Sequence, residues 1–367
     1  VAILKTEEFT VNIGPQHPST HGGFHVVVNL DGETVTDAYC VAGYLHRGLE
    51  KIAESRTYAQ FAPYCARLDY LGAQNPALGY VQTVEKLMGI EVPERAEYIR
   101  IILAELARVA SHLVFVGSFA LDFNGWTPII YCFRDREKVL DMFDMVCGQR
   151  LTTSYMRIGG VADDLPEEFF PAIRKFLDEM PACIDEYDGI LTGNEILIGR
   201  CKGVGILTAE QAKDWGISGP NLRATGINYD IRKVEPYGIY DRFDFEVPVG
   251  TAGDTYERYL MRVAELRQSL RIIEQAVNAL PEGPVRTKVP KVLKPEPGEV
   301  YHRIESNKGE LGFYMVSDGS DKPYRLHIRG PSFVNVAPLP ELARGGNIQD
   351  VIAVLASIDI VLGEMDR

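Results

Sequence analysis

Apolar and polar positions change their period along the chain. Between residues 9 and 41 they alternate. Phe9-Thr10-Val11-Asn12-Ile13, the run from Phe24 to Leu30 and the run from Thr34 to Val41 are rich in β-branched residues, and Asp31-Gly32 separates the last two. That is a hairpin signal, and a small antiparallel sheet is expected. From His46 to about Leu280 the period becomes helical. Ile99, Ile102, Leu103, Leu106, Val109, Ala110 and Leu113 recur at steps of three and four after Pro93, marking one apolar helix face. A second long stripe, Val263, Leu266, Leu270, Ile273, Val277 and Leu280, follows Gly253-Asp254 and stops at Pro281 and Gly283. Further helices are predicted over 47–64, 69–88, 128–151 and 166–187, with a less regular excursion over 189–249.

Pro281, Pro284, Pro290, Pro295 and Pro297 then read as an extended connector. Beyond it, 312–317 and 324–329 flank Asp318-Gly319-Ser320-Asp321 as a hairpin, and a last helix after Gly346-Asn347 carries Val351, Val354, Leu355 and Ile358 on one face. The expected fold class is α+β, mainly α: an N-terminal β region (1–45), a helical bundle core (46–285), and a connector, β-hairpin and C-terminal helix (286–367).

Composition narrows the function. The 367 residues are 46% hydrophobic and 24% charged, as in an ordinary globular protein. The net charge of −13 argues against nucleic acid, whose phosphates reward excess Lys and Arg. No run approaches the roughly 20 apolar residues of a membrane span, and the best stretch, 348–362, is interrupted by Asp350 and Asp359. The start, Val1-Ala2-Ile3-Leu4-Lys5, carries no signal-peptide pattern, so a cytoplasmic location is expected. Cys40, Cys65, Cys132, Cys147, Cys183 and Cys201 form no CxxC, which predicts free thiols and no metal or cluster held by this chain alone.

The most unusual segment is Gly14-Pro15-Gln16-His17-Pro18-Ser19-Thr20-His21-Gly22-Gly23-Phe24-His25. Histidines four apart on a helix share a face and can bind metal. Pro18 and Gly22-Gly23 exclude that helix, so a rigid loop that positions imidazoles is expected. Gly199-Arg200-Cys201-Lys202-Gly203-Val204-Gly205 lacks the spacing of a phosphate-binding loop, and no GxSxG nucleophile elbow occurs.

The segment Gly14–Gly22 resembles the GPQHPSTHG signature of the respiratory complex I (NADH:quinone oxidoreductase) component called the 49 kDa or D subunit. Gly43-Tyr44-Leu45-His46-Arg47-Gly48, Arg67-Leu68-Asp69-Tyr70, Ala110-Ser111-His112-Leu113, Arg157-Ile158-Gly159-Gly160-Val161, Pro331-Ser332-Phe333-Val334-Asn335 and the ending Ser357 to Arg367 are similar to the same family, in order, from about residue 8 onward. That family is in turn similar to the large subunit of nickel–iron hydrogenases, which implies a hydrogenase-like helical bundle. Those enzymes bind metal through two CxxC pairs. Here Asp359 and Arg367 remain, Val361 and Glu364 stand where thiolates would be, and the stretch 67–72 has no cysteine. Four thiolates are what a soft metal centre needs.

The resemblance implies a peripheral subunit on the cytoplasmic face of the cell membrane. There it would help reduce quinone with electrons from an iron–sulfur cluster in a partner subunit, in a proton-translocating enzyme inactive as isolated chains. The implied partners are the iron–sulfur subunit with the terminal cluster, the membrane subunit that forms the quinone tunnel, and other peripheral-arm subunits. It assigns Tyr70 and His21 to the quinone head-group and Asp122 to orienting His21. His17 is read as structuring the loop, and His46 and Arg47 as facing the iron–sulfur partner. Two features depart from many relatives. Thr152-Thr153 follow Gly148-Gln149-Arg150-Leu151 where a titratable histidine is common, which points to a lower-potential quinone such as menaquinone. The connector before Tyr301 is short, leaving NADH, ferredoxin or another carrier open as donor. The competing readings are a nickel–iron hydrogenase large subunit, disfavoured by the missing cysteines, and a non-catalytic scaffold.

Overall fold

The computed structural model describes residues 8–367; the N-terminal reading of residues 1–5 lies outside them. Strands β1 (Glu8–Ile13), β2 (His25–Asp31) and β3 (Thr34–Val41) form an antiparallel sheet in that order, with Glu8 opposite Asp31 and Ile13 opposite Val26. Gly32 makes the β2–β3 turn at φ 63°, a conformation that costs glycine little.

The predicted helix over 47–64 is two helices, α1 (Leu49–Ala53) and α2 (Tyr58–Cys65), because Thr57 and Gln60 form a capping box that starts a new one. The predicted helix over 69–88 begins only at Gln74, as α3 (Gln74–Met88). The Asp69 carboxylate accepts the backbone N–H groups of Leu71 and Gly72 at 3.0 and 3.1 Å, and this turn competes with helix. The longest helix, α4 (Glu94–Asp122), has Glu94 and Glu97 in its first turn, where the helix dipole favours them. It is followed by α5 (Trp126–Cys147), closed by Gly148 at φ 64°, and α6 (Phe169–Tyr187), which runs into a π turn at Asp188–Thr192. Helix α7 (Thr255–Asn278) is capped by Asp254, whose carboxylate accepts the Glu257 N–H at 2.8 Å. The irregular excursion holds short helices such as Glu195–Cys201 and Ala209–Asp214.

Helix α4 lies between α5 and α7 at the centre of the main core. Gly117 permits close approach to α5: a Cβ there would stand 3.0 Å from the Ile129 Cα. Its non-apolar face is also buried. Arg100, Glu105, Arg108, Ser111 and His112 have no exposure, and the charges are paired: Glu105 meets Arg108 and Arg232, and His112 meets Glu265.

One strand is not foreseen by the sequence pattern. Residues from 298 onward leave the connector as β4 (Gly298–Ser306), which pairs with β5 (Gly309–Ser317), and β6 (Arg325–Arg329) completes a three-stranded sheet ordered β6-β5-β4. The β4–β5 turn is driven into the interior, so that Ser306, Asn307 and Lys308 have no exposure. The chain ends in α8 (Pro331–Val336), α9 (Ile348–Ile358) and α10 (Leu362–Asp366), the last two separated by Asp359 at φ 61°. The N-terminal sheet packs its Val26, Val28, Leu30 and Val35 against Val351, Val354, Leu355, Leu362 and Met365 in a core of its own. This packing brings the His21 loop to the C-terminal stretch.

Candidate functional site

His21 ends a single 3-10 turn, Pro18–Thr20. The His17 ring Nδ1 accepts the Ser19 N–H at 3.2 Å, and the Thr20 hydroxyl donates to the His17 carbonyl at 2.7 Å, so His17 organises the loop as expected. The turn leaves His21 in the left-handed region at φ 54°. Its Nε2 lies 2.8 Å from the Asp122 Oδ2. A carboxylate only accepts, so Nε2 carries a proton, and Nδ1 is the nitrogen left for another partner. Asp122 is the last residue of α4, where backbone carbonyls make a negative charge unfavourable, and the imidazole N–H offsets this. His25 turns away to Asn12 and Tyr44, so the loop histidines do not converge.

Tyr70 lies in the loop between α2 and α3, not on a helix. Burial and the adjacent Asp69 carboxylate raise its phenol above the usual tyrosine range, with Glu364 adding to the shift and Arg47 opposing it. Among the described residues, none hydrogen-bonds its hydroxyl.

His21, Tyr70 and Asp122 line one cavity of about 540 Å³. Apolar groups of Leu71, Val114, Leu121, Trp126, Ile360 and Val361 make up much of the wall, and Asp359 adds a carboxylate. The size and character suit a small organic ligand. Val361, where the resemblance to nickel–iron hydrogenases implies a thiolate, is therefore part of the wall. The segments around Tyr70 and Gly363 come together here: a Cβ on Gly363 would stand 2.6 Å from the Leu68 carbonyl oxygen and 3.3 Å from the Tyr70 ring.

Sequence reasoning did not single out the polar groups behind this wall. Asn307 donates to the Asp69 Oδ2 at 2.8 Å, and Lys308 donates to the Asp359 Oδ2 at 2.6 Å; both sit on the buried β4–β5 turn. Arg262 reaches the same Asp359 oxygen at 3.2 Å. The separation of 51 residues between Lys308 and Asp359 left no local pattern to read. His46 and Arg47 are tied to the C-terminal stretch: the His46 ring to the Asp366 carbonyl at 2.7 Å, and Arg47 to the Gly363 carbonyl at 3.1 Å. Thr152 lies outside the cavity at φ 48°, an uncommon conformation for a β-branched residue, and the Thr153 hydroxyl accepts from Gln74 at 2.8 Å. Among the described residues, no group of three or more His, Cys, Asp or Glu side chains is arranged to hold a metal ion, and no helix is long and apolar enough to cross a membrane.

Comparison with known proteins bears on the whole chain. The family described as "Respiratory-chain NADH dehydrogenase, 49 Kd subunit" matches residues 122–296 and 291–367. The D subunit of the NADH-quinone oxidoreductase of Clostridium beijerinckii is 61% identical over 364 residues, spanning 99% of this chain and 98% of that protein. The corresponding D subunits of Desulforamulus reducens and Carboxydothermus hydrogenoformans are 60% and 56% identical, each over 99% of this chain and 99% and 100% of their own lengths. The chain belongs to the D subunit family of NADH-quinone oxidoreductases, the 49 kDa subunit family of respiratory complex I.

Proposed function

We propose that this chain holds the quinone head-group during its reduction in a complex I type enzyme. The observation that carries the reading is the meeting, in one largely apolar cavity, of an unpartnered tyrosine hydroxyl and an imidazole braced by a carboxylate. A quinone offers two carbonyl oxygens on a flat apolar ring. Tyr70 would donate a hydrogen bond to one of them, and His21, when its ring carries a proton on both nitrogens, would donate from Nδ1 to the other. Electrons would arrive from an iron–sulfur cluster in a partner subunit, and this chain would hold no cofactor of its own. As negative charge builds on the ring oxygens, the same two donors stabilise it and then supply protons. The raised pKa of Tyr70 keeps its proton in place until that charge appears. Asp122 orients His21 by accepting its Nε2–H.

Quinone is lipophilic, and no helix among the described residues crosses a membrane, so a membrane subunit would deliver it. Trp126, Ile130 and Phe133 leave an exposed apolar strip on α5, beginning at the cavity wall, which suits coverage by a partner. These features favour a peripheral position covered by a partner, and the kinship with complex I D subunits adds the cytoplasmic face of the membrane and the iron–sulfur and membrane subunits as neighbours. A scaffold would need neither the braced imidazole nor the free phenol.

Tyr70→Phe tests the reading in the assembled enzyme. It keeps the ring and deletes the hydroxyl. Quinone reduction is expected to fall by about 100- to 10,000-fold, the range of a general acid contribution, while reduction of an artificial acceptor that draws electrons upstream stays intact. Equal loss of both activities would make Tyr70 structural, and loss of neither would place the quinone elsewhere.

A further inference from the structure

Behind the cavity wall, two carboxyl groups with no exposure act on each other: Asp69 from the α2–α3 loop and Glu364 from α10. Their surroundings differ. Asp69 accepts from Leu71 and Gly72 through Oδ1 and from Asn307 through Oδ2, so both of its oxygens are held as acceptors. Glu364 accepts from the Ser332 N–H and hydroxyl through Oε1 alone, and its Oε2 is buried with no partner. A bare buried carboxylate oxygen is costly, whereas a protonated one is not. The geometry points to Glu364 as a neutral carboxylic acid that keeps a proton in store for Tyr70. This rests on the quinone-site reading of Tyr70.

The groups around Glu364 fit that assignment. Asp69 and Tyr70 face it from the loop, Lys308 from the β4–β5 turn, and Ser332 from α8. On its own C-terminal stretch, Asp359 is occupied by Lys308 and Arg262, and Asp366 by the Gly43 and Leu45 N–H groups. Arg367 packs over the Phe333 ring, and Arg47 reaches the Gly363 carbonyl. Burial and the Asp69 carboxylate push the Glu364 carboxyl up to about 8, against the pull of Ser332 and Lys308. Burial raises the Asp69 carboxyl too, but both of its oxygens accept donors, so of the two buried carboxyls Glu364, with the bare oxygen, keeps the proton.

The step balances. The Tyr70 Oη–H bond breaks as its proton passes to the reduced quinone oxygen, whose electrons come from the partner's cluster. The tyrosinate oxygen is then reprotonated from the Glu364 Oε2 through an intervening water, since no hydrogen bond joins the two side chains directly. Glu364 is left as a carboxylate, which Lys308 and the Ser332 donors stabilise until solvent returns the proton. Glu364 thus acts through Tyr70, as a positioning residue for its proton.

The test uses the assembled, membrane-bound enzyme. Infrared difference spectra against Glu364→Gln should show a protonated carboxylic acid band in the wild type at neutral pH that titrates away near pH 8. Quinone reduction by Glu364→Gln should drop about tenfold or more and lose its alkaline limb, with artificial-acceptor activity unchanged. Glu364→Asp should restore part of that limb. Ser332→Ala, which removes one donor to the carboxylate form, should move the limb to higher pH. Absence of the band in the wild type, or a Glu364→Gln enzyme with full rate and an unchanged pH profile, would overturn the proposal. Should Glu364→Gln fail to assemble, the direction of the Ser332→Ala shift decides: a limb that stays put or moves down overturns it. The band with a fully active Tyr70→Phe enzyme would remove the quinone-site reading, and an inactive Tyr70→Phe enzyme without the band would remove only the store.

Discussion

At the scale of single residues, the site depends on side chains whose backbone setting is unusual. His21 reaches Asp122, 101 residues away, from the left-handed end of a 3-10 turn. In the proposed site, His21→Ala and Asp122→Asn damage the same interaction. Each is expected to lower quinone reduction, and the double variant should be little worse than either single one, since residues in one network are not additive. Steady-state rates of the three enzymes check this, and fully multiplicative losses would separate the residues. Thr152 supports a different expectation. It has no proton to exchange near neutrality, so if the proposed assembly sets an iron–sulfur cluster of the partner beside this loop, its midpoint potential should hardly vary with pH, as redox titration at several pH values would show. A steep slope assigned to this position would contradict it. The loop motif drew attention to its three histidines, and the resemblance assigned both His21 and Tyr70, which the structure brings to one cavity. The setting of Tyr70 was not legible, because a helix beginning at Asp69 fits the apolar spacing. Only the Asp69 side chain, closing on Leu71 and Gly72, delays that helix to Gln74.

At the scale of elements, α4 joins the fold to the site. Its apolar stripe is plain in the sequence, but periodicity does not reveal that the other face is buried too. That face is satisfied by charges from distant segments. Glu105 accepts from Arg108, Arg232, the Tyr240 hydroxyl and the Ser269 hydroxyl. Burial works against its ionisation, and Arg108 and Arg232 more than compensate, holding its pKa below the ordinary value. Its contribution to stability is therefore present above the unfolded-state carboxylate pKa and is lost as pH falls through the lower folded value. Glu105→Gln leaves Arg108 with only the Ser306 and Glu305 carbonyls and Arg232 with only Asp230, and should destabilise the fold by about 3–5 kcal/mol. Lower thermal stability of the assembled enzyme, with cavity residues unchanged, is the expected result; an unaltered melting temperature would show that the cluster contributes little. Strand β4 escaped sequence reading for a related reason. Glu299, Arg303 and Glu305 give it a charged pattern, yet Glu305 is buried against Arg223.

Across the whole molecule, the first strands and the last helices share one core, so the two ends of the chain jointly close the cavity against the central bundle. The α+β, mainly α architecture was legible in the changes of period. The pairing of distant segments was not, because it rests on contacts between residues hundreds of positions apart. That arrangement explains how a pocket with no cysteine ligands can suit an organic molecule: Val361 lines the wall, Glu364 lies behind it, and donors at Tyr70 and His21 border the space. The most direct measurement is a structure of the assembled enzyme with a quinone analogue bound. Its ring is expected within this cavity, with one carbonyl oxygen within hydrogen-bond distance of the Tyr70 hydroxyl and the other of the His21 ring. A head-group bound outside the cavity, or inside it with neither side chain in contact, would contradict the proposed role of this chain.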